Sequence, residues 1–110
     1  MESGKAIIDM AEFVRVAGRS QIPENGAIAV EAGGRRIALF SVGGAFYAID
    51  NRCRHLGAPL SAGEVYGTRV ICPLHGWEYD LTTGAHVDDA SVRVACFKVK
   101  VDGDDVFIEV

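Results

Sequence analysis

A-I-A-V-E-A-G-G-R-R-I-A-L-F-S-V-G-G-A-F-Y-A-I-D, from Ala27 to Asp50, holds three β-rich runs separated by two Gly-Gly pairs. Glycine reaches the positive φ angles of a two-residue turn without steric cost, so Ala27–Ala32, Arg35–Val42 and Ala45–Asp50 read as a hairpin continued into a meander. Near the C-terminus, Val92–Val101 and Val106–Val110 flank Asp102-Gly103-Asp104-Asp105, a turn sequence that predicts a closing hairpin. No segment carries a sustained 3.6-residue apolar period with caps; Ile7–Val14 or Arg19–Ile22 has at most the makings of a short helical turn. The expected class is all-β with antiparallel sheets.

The 110 residues suit one domain, 1–110, and 49% hydrophobic with 24% charged residues is the balance of a folded globular chain. The formal net charge is -4 and no run of Lys or Arg stands out, which disfavours nucleic-acid binding. Residues 1–14 contain Glu2, Asp9 and Glu12 and no unbroken apolar stretch, so neither a secretory leader nor a membrane span is expected there. Three cysteines at irregular spacing fit a reducing compartment where thiols serve metal or redox chemistry, and the expected location is the cytoplasm.

Chemistry concentrates between residues 51 and 85, a segment rich in Gly, Pro, Cys and His with short apolar pieces only at Val70–Cys72 and Trp77–Leu81. It reads as a functional insert. Cys53-Arg54-His55 is followed, after sixteen residues, by Cys72-Pro73-Leu74-His75, so two loops each offer one thiolate and one imidazole. Such a set can hold a two-iron, two-sulfide cluster, with cysteines on one iron and histidines on the other, or a structural zinc. Zinc pairs usually leave two to four residues between ligands, and the single residue between Cys53 and His55 argues for the cluster.

Formal charges cancel in a cluster with two thiolates and two neutral imidazoles, whereas an all-cysteine cluster is a dianion. Adding an electron therefore costs less work, and potentials rise to roughly -150 to +300 mV from about -400 mV. Pro73 restricts one loop, and Gly57 and Gly76 are candidates to bring backbone N–H groups to cluster sulfur. Leu56, Pro59, Leu60 and Leu74 are candidates to exclude water. Cys96 reads as a core or sheet-face residue and His86 as a surface histidine, both outside the ligand set. Arg52 and Arg54 read either as solvated charges or as a locally positive tip that steers an acidic partner. Trp77 and Tyr79 read as packing residues. A Cys-His nucleophile lacks an orienting third group.

The strings C-R-H-L-G-A-P-L-S and C-P-L-H-G-W-E-Y-D-L-T-T-G around these pairs resemble the Rieske motif, and I-A-L-F-S-V-G-G-A-F-Y-A-I-D-N resembles the base of the same family. The resemblance covers about residues 12 to 110 and leaves 1–11 as an N-terminal extension. It implies an antiparallel β domain with an inserted cluster-binding subdomain. One 2Fe-2S cluster would be held by Cys53, His55, Cys72 and His75, with both histidines facing solvent.

Ala58 and Leu74 stand where respiratory and photosynthetic members carry a disulfide, and Trp77 stands where those members have a serine that donates to sulfide. That implies a potential low in the family range, with Tyr79 at the place where some members bond a cysteine sulfur. The implied role is a soluble electron carrier, not itself an enzyme. It would be the ferredoxin component of an aromatic-ring hydroxylating dioxygenase system, between an NAD(P)H-dependent flavoprotein reductase and a terminal oxygenase. The small subunit of an NADH-dependent nitrite reductase, a stand-alone Rieske protein, and a zinc-stabilised or redox-sensing module are the alternatives.

Overall fold

A computed structural model describes residues 12–74 and 76–110. Twelve strands run β1 (Phe13–Gly18), β2 (Gly26–Ala32), β3 (Arg35–Val42), β4 (Ala45–Asp50), β5 (Glu64–Tyr66), β6 (Arg69–Ile71), β7 (Glu78–Asp80), β8 (Ala85–His86), β9 (Asp89–Arg93), β10 (Cys96–Phe97), β11 (Val99–Asp102) and β12 (Asp105–Glu109). Short 3-10 turns at Arg19–Gln21 and Leu60–Ala62 are the only helical pieces among the described residues. The all-β expectation holds, and the turn at Arg19–Gln21 falls within the stretch that allowed one. Phe13 and Val14 open β1 instead of closing a helical turn, and residues 7–11 lie outside those described.

All named strand pairs are antiparallel and form three sheets: β1-β12-β11, β10-β4-β3-β2 and β5-β6-β7-β8-β9. In the two hairpins of the second sheet, Ala32 pairs with Arg35 and Val42 with Ala45. Gly33, Gly34, Gly43 and Gly44 all have positive φ, the double left-handed pair that matches a two-residue turn to strand twist.

The run Ile37-Ala38-Leu39-Phe40 shows why this sheet is central. All four side chains are fully buried, so the strand is covered on both faces. Ile37 and Leu39 pack with Ala17, Ile22, Ala48, Val106 and Ile108, joining the second sheet to the three-stranded one. Ala38 and Phe40 point the other way and pack with Ile49, Leu60, Val70, Tyr79 and Leu81, joining it to the five-stranded one. The period of two in a strand sends successive side chains to opposite layers. Each fully buried aliphatic or aromatic side chain contributes about 1.5–3 kcal/mol by removal from water.

Two expectations need correction. Val92–Val101 is not one strand: β9 belongs to the five-stranded sheet, β10 to the four-stranded and β11 to the three-stranded. The alternating pattern is real, but each short piece finds a different partner, Cys96 opposite Ile49 and Val99 opposite Ile108. The segment 51–85 is also more regular than its composition suggests, since β5 to β7 lie within it, β8 begins at its last residue and β9 completes their sheet. Strands of two or three residues are too short for an apolar period to show.

Candidate metal centre

Two loops leave the ends of strands and meet at one edge of the molecule. The first follows β4 and is anchored by Asn51, which is 5% exposed. The Asn51 side-chain oxygen accepts from Ser61 N–H at 2.7 Å, its carbonyl accepts from Leu60 N–H at 2.8 Å, and its own N–H donates to Arg36 O at 3.1 Å. A buried amide so satisfied clamps the start of the loop to the Leu60–Ala62 turn. Within the loop, Gly57 N–H donates to Cys53 O at 2.8 Å and Cys53 N–H to Ala58 O at 3.0 Å. The second loop follows β6 and is closed by Cys72 N–H donating to Trp77 O at 2.7 Å.

This folding brings Cys53 and Cys72 together, each 2% exposed and each a free thiol. Burial pushes the Cys53 thiol up, yet its acidity ends above that of an ordinary thiol. The Tyr79 hydroxyl, the N–H groups of His55 and Leu56 and the Cys72 thiol all hydrogen-bond its sulfur and favour the anion. Cys72 is held above the ordinary value by burial and by Cys53, against the Leu74 N–H, which favours its thiolate. Tyr79 Oη lies 3.4 Å from Cys53 Sγ and accepts from Arg54 N–H at 3.0 Å. Once Cys53 is a thiolate, only the hydroxyl has a proton to give, so Tyr79 donates to sulfur. Burial, followed by that bond, holds the phenol well above its usual range.

Of the two glycines expected to donate, Gly57 spends its N–H closing the loop, while His55, Leu56 and Leu74 supply N–H groups on the cysteine sulfurs. His55 is exposed, and its ring stacks on Trp77 with centroids 4.6 Å apart and planes 6° from parallel. Trp77 in turn meets His86 edge-on at 4.8 Å, and His86 meets Tyr79 at 5.7 Å. His86, read from sequence as a surface histidine, therefore buttresses both aromatics behind the loops, with Nδ1 accepting from Asp88 N–H at 3.0 Å. Its place on β8 beside β7 set this contact, and the two-residue strand left no periodic signal.

Leu60 is buried in the core, whereas Leu56 and Leu74, one on each loop, are exposed to solvent. Cys96 lies apart, on β10, its Sγ facing the carbonyls of Leu81 and Thr82. His75 lies outside the described residues. Among the described residues no three His, Cys, Asp or Glu side chains converge on a single ion. A buried pair of free thiols ringed by hydrogen-bond donors, with the His55 ring stacked on Trp77 at the surface, is a donor set that suits a thiolate-ligated metal centre.

Residues 12–98 match the family model described as the Rieske [2Fe-2S] domain. The chain is 36% identical over 90 residues to the ferredoxin component of the naphthalene 1,2-dioxygenase system of Pseudomonas aeruginosa, covering 81% of this chain and 86% of that protein. Among solved structures, the ferredoxin of carbazole 1,9a-dioxygenase from Nocardioides aromaticivorans IC177 superposes with a TM-score of 0.80 at 30% identity, covering 87% of this chain and 95% of the other. A chain from a complex of reduced oxygenase and oxidized ferredoxin in carbazole 1,9a-dioxygenase gives the same TM-score at 28% identity, covering 88% and 92%.

Proposed function

The chain belongs to the Rieske [2Fe-2S] domain family, and we propose that it is a one-electron carrier, the ferredoxin component of an aromatic-ring hydroxylating dioxygenase system. The observation that carries this reading is the pair of buried, undisulfided thiols of Cys53 and Cys72 at the meeting point of two loops, with Tyr79 and three backbone N–H groups on their sulfurs. Cys53 and Cys72 would hold one iron, and His55 and His75 the other, in a single 2Fe-2S cluster. When bound, that group supplies a one-electron couple.

The protein's own contribution is electrostatic and steric. Donors on sulfur favour the more negative state, because a hydrogen bond to an anion is roughly twice as strong as one between neutral groups. The Tyr79 hydroxyl and the N–H groups of His55, Leu56 and Leu74 supply that stabilisation, while Trp77 occupies the place where a serine donor stands in high-potential members. The potential is therefore expected in the lower part of the family span. The stack on Trp77 fixes the plane of the His55 ring. The exposed positions of His55, Leu56 and Leu74 leave the electron a short path to a docked protein.

We take electrons to arrive from an NAD(P)H-dependent flavoprotein reductase and to leave to a terminal oxygenase, both by transient contact in the cytoplasm. The names of the three relatives given above, two ferredoxins of dioxygenase systems and a complex of such a ferredoxin with its oxygenase, support the oxygenase side. No described helix is long and apolar enough to cross a membrane. We also read residues 12–110 as one domain, since the central sheet shares a core with each of the others.

Low-temperature EPR of the dithionite-reduced protein, with iron and acid-labile sulfide assays, tests the reading. A rhombic signal below the free-electron average and two irons with two sulfides per chain are expected; a colourless protein holding one zinc ion would overturn it.

A further inference from the structure

Resting on the electron-carrier reading and extending it, we propose that an arginine-lined cleft beside the Cys53 loop seats a carboxylate-bearing segment of a protein redox partner. The cleft has a volume of about 520 Å³ and brings together four arginines from separate parts of the chain: Arg35 at the start of β3, Arg52 and Arg54 flanking Cys53, and Arg93 at the end of β9. Asp50 is the one acidic residue on its wall. Four arginines against one aspartate make the cleft strongly positive, whereas the whole chain carries -4. The remainder of the molecule is accordingly more acidic still.

Three of the four arginines elsewhere are used differently; the fourth, Arg19, donates to Gly103 O at 3.5 Å and lies over the Phe46 ring at 5.8 Å, far along the chain from the metal-centre loops. Arg15, Arg36 and Arg69 are ion-paired to Asp105, Glu31 and Glu78 at 2.8, 3.1 and 3.4 Å. None of the four cleft arginines has a carboxylate partner among the described residues, and all four are exposed. The contacts of three of them orient the side chain without neutralising it. Arg54 Nη1 donates to Arg93 O at 3.1 Å, Arg93 Nη2 donates to Thr83 O at 2.9 Å, and the Arg35 guanidinium lies over the Phe97 ring at 5.2 Å.

Guanidinium groups favour carboxylates through paired N–H donors, and a cluster of one sign set in an oppositely charged molecule orients an approaching partner. Because Cys53 and His55 form part of the same wall, an acidic segment seated here is held against the exit side of the metal centre. The breadth of the array, from β3 to β9, suits several carboxylates on a protein surface better than one small anion.

The test uses the protein with iron and sulfide confirmed. Its reduced form is oxidised by ferricyanide in stopped flow as salt is raised from about 10 to 500 mM. The net charge of -4 predicts that the rate with this anion rises with salt. The cleft predicts a fall of about tenfold. Arg35→Gln with Arg93→Gln should abolish the fall, whereas Arg36→Gln with Arg69→Gln, an equal charge change at paired arginines, should preserve it. The Arg36/Arg69 double should keep the parent potential, and the potential of the Arg35/Arg93 double is measured alongside, so that a change in driving force is separated from the loss of salt dependence.

Hexaglutamate should slow ferricyanide oxidation and bind calorimetrically to parent protein but not to the Arg35/Arg93 double variant, and inorganic phosphate at equal charge should do neither. A rate that rises with salt, indistinguishable doubles, or phosphate competing as well as the peptide would each overturn the proposal, the last in favour of a small-anion site. Absence of a reversible one-electron couple would instead defeat the carrier reading, while calorimetry would still decide whether the cleft takes carboxylates.

Discussion

The two cores of this molecule are built from different materials. In the one between the three-stranded and four-stranded sheets the buried side chains are all aliphatic, Ala17, Ile22, Ala32, Ile37, Leu39, Ala48, Val106 and Ile108, with Phe46 and Phe97 packed at its margin. The one between the central sheet and the insert adds Cys53, Cys72 and Tyr79 to its apolar side chains. The first core is held by removal of hydrocarbon from water and needs nothing else. The second buries sulfur and hydroxyl groups, which is favourable only when their hydrogen-bonding and ligand capacity is used. The base is a scaffold with its own stability, whereas the tip is completed by what it holds.

The sharpest way to break that contrast is Cys72→Ala. It should abolish the one-electron couple altogether and raise amide exchange in residues 53–77, while β1, β3, β4 and β12 keep their protection; simultaneous loss of protection in both regions would show a single cooperative unit. The reciprocal change, Leu39→Ala in the base, should cost about 2–5 kcal/mol in denaturant unfolding and leave the EPR line shape of the reduced protein unaltered.

Smaller effects sharpen the comparison within the tip. Asn51→Ala leaves the Ser61 N–H without its acceptor and should cost about 1–3 kcal/mol, with faster exchange confined to Leu60–Ala62. Tyr79→Phe removes the hydroxyl donor to Cys53 and should lower the potential by ~40 mV, the equivalent of about 1 kcal/mol for one electron, as read by spectroelectrochemical titration.

The smallest effect lies on the insert's outer strand. Hydrogen bonds from the Ser91 hydroxyl and N–H hold the Asp89 carboxyl below the usual carboxylate range in the folded state. A depressed folded pKa contributes stability that is present above the unfolded value and lost as pH falls through the folded one. Ser91→Ala should therefore slightly lower stability at neutral pH and flatten the acid limb below about pH 4, leaving stability at the acid end unchanged, as read by denaturant unfolding across pH.

Much of this was legible because it is local. Two Gly-Gly pairs fixed both hairpins of the central sheet, and the alternation in Ile37–Phe40 reflects a strand buried on both faces. The spacing of Cys53, His55 and Cys72 anticipated two loops, and the structure seats the two thiols together at their junction. Other features depend on pairings across long stretches of chain. Residues 92–101 look like one strand because each piece alternates, but pairing with Tyr79's sheet, with β4 and with β12 is decided by the assembled layers. His86 gave no sign of its contacts with Trp77 and Tyr79 until β8 was laid beside β7.

The sequence by itself determined the β class, the turns, and which side chains could bind metal, since propensity, φ preference and ligand chemistry belong to residues or near neighbours. The family resemblance already placed Tyr79 beside a cysteine sulfur, but tertiary structure alone decided that Trp77 stacks on His55 and that Arg35 and Arg93 join Arg52 and Arg54 around one cleft. Those relations join residues up to 58 positions apart, from Arg35 to Arg93. Their distances follow from how three sheets pack, which no local pattern encodes.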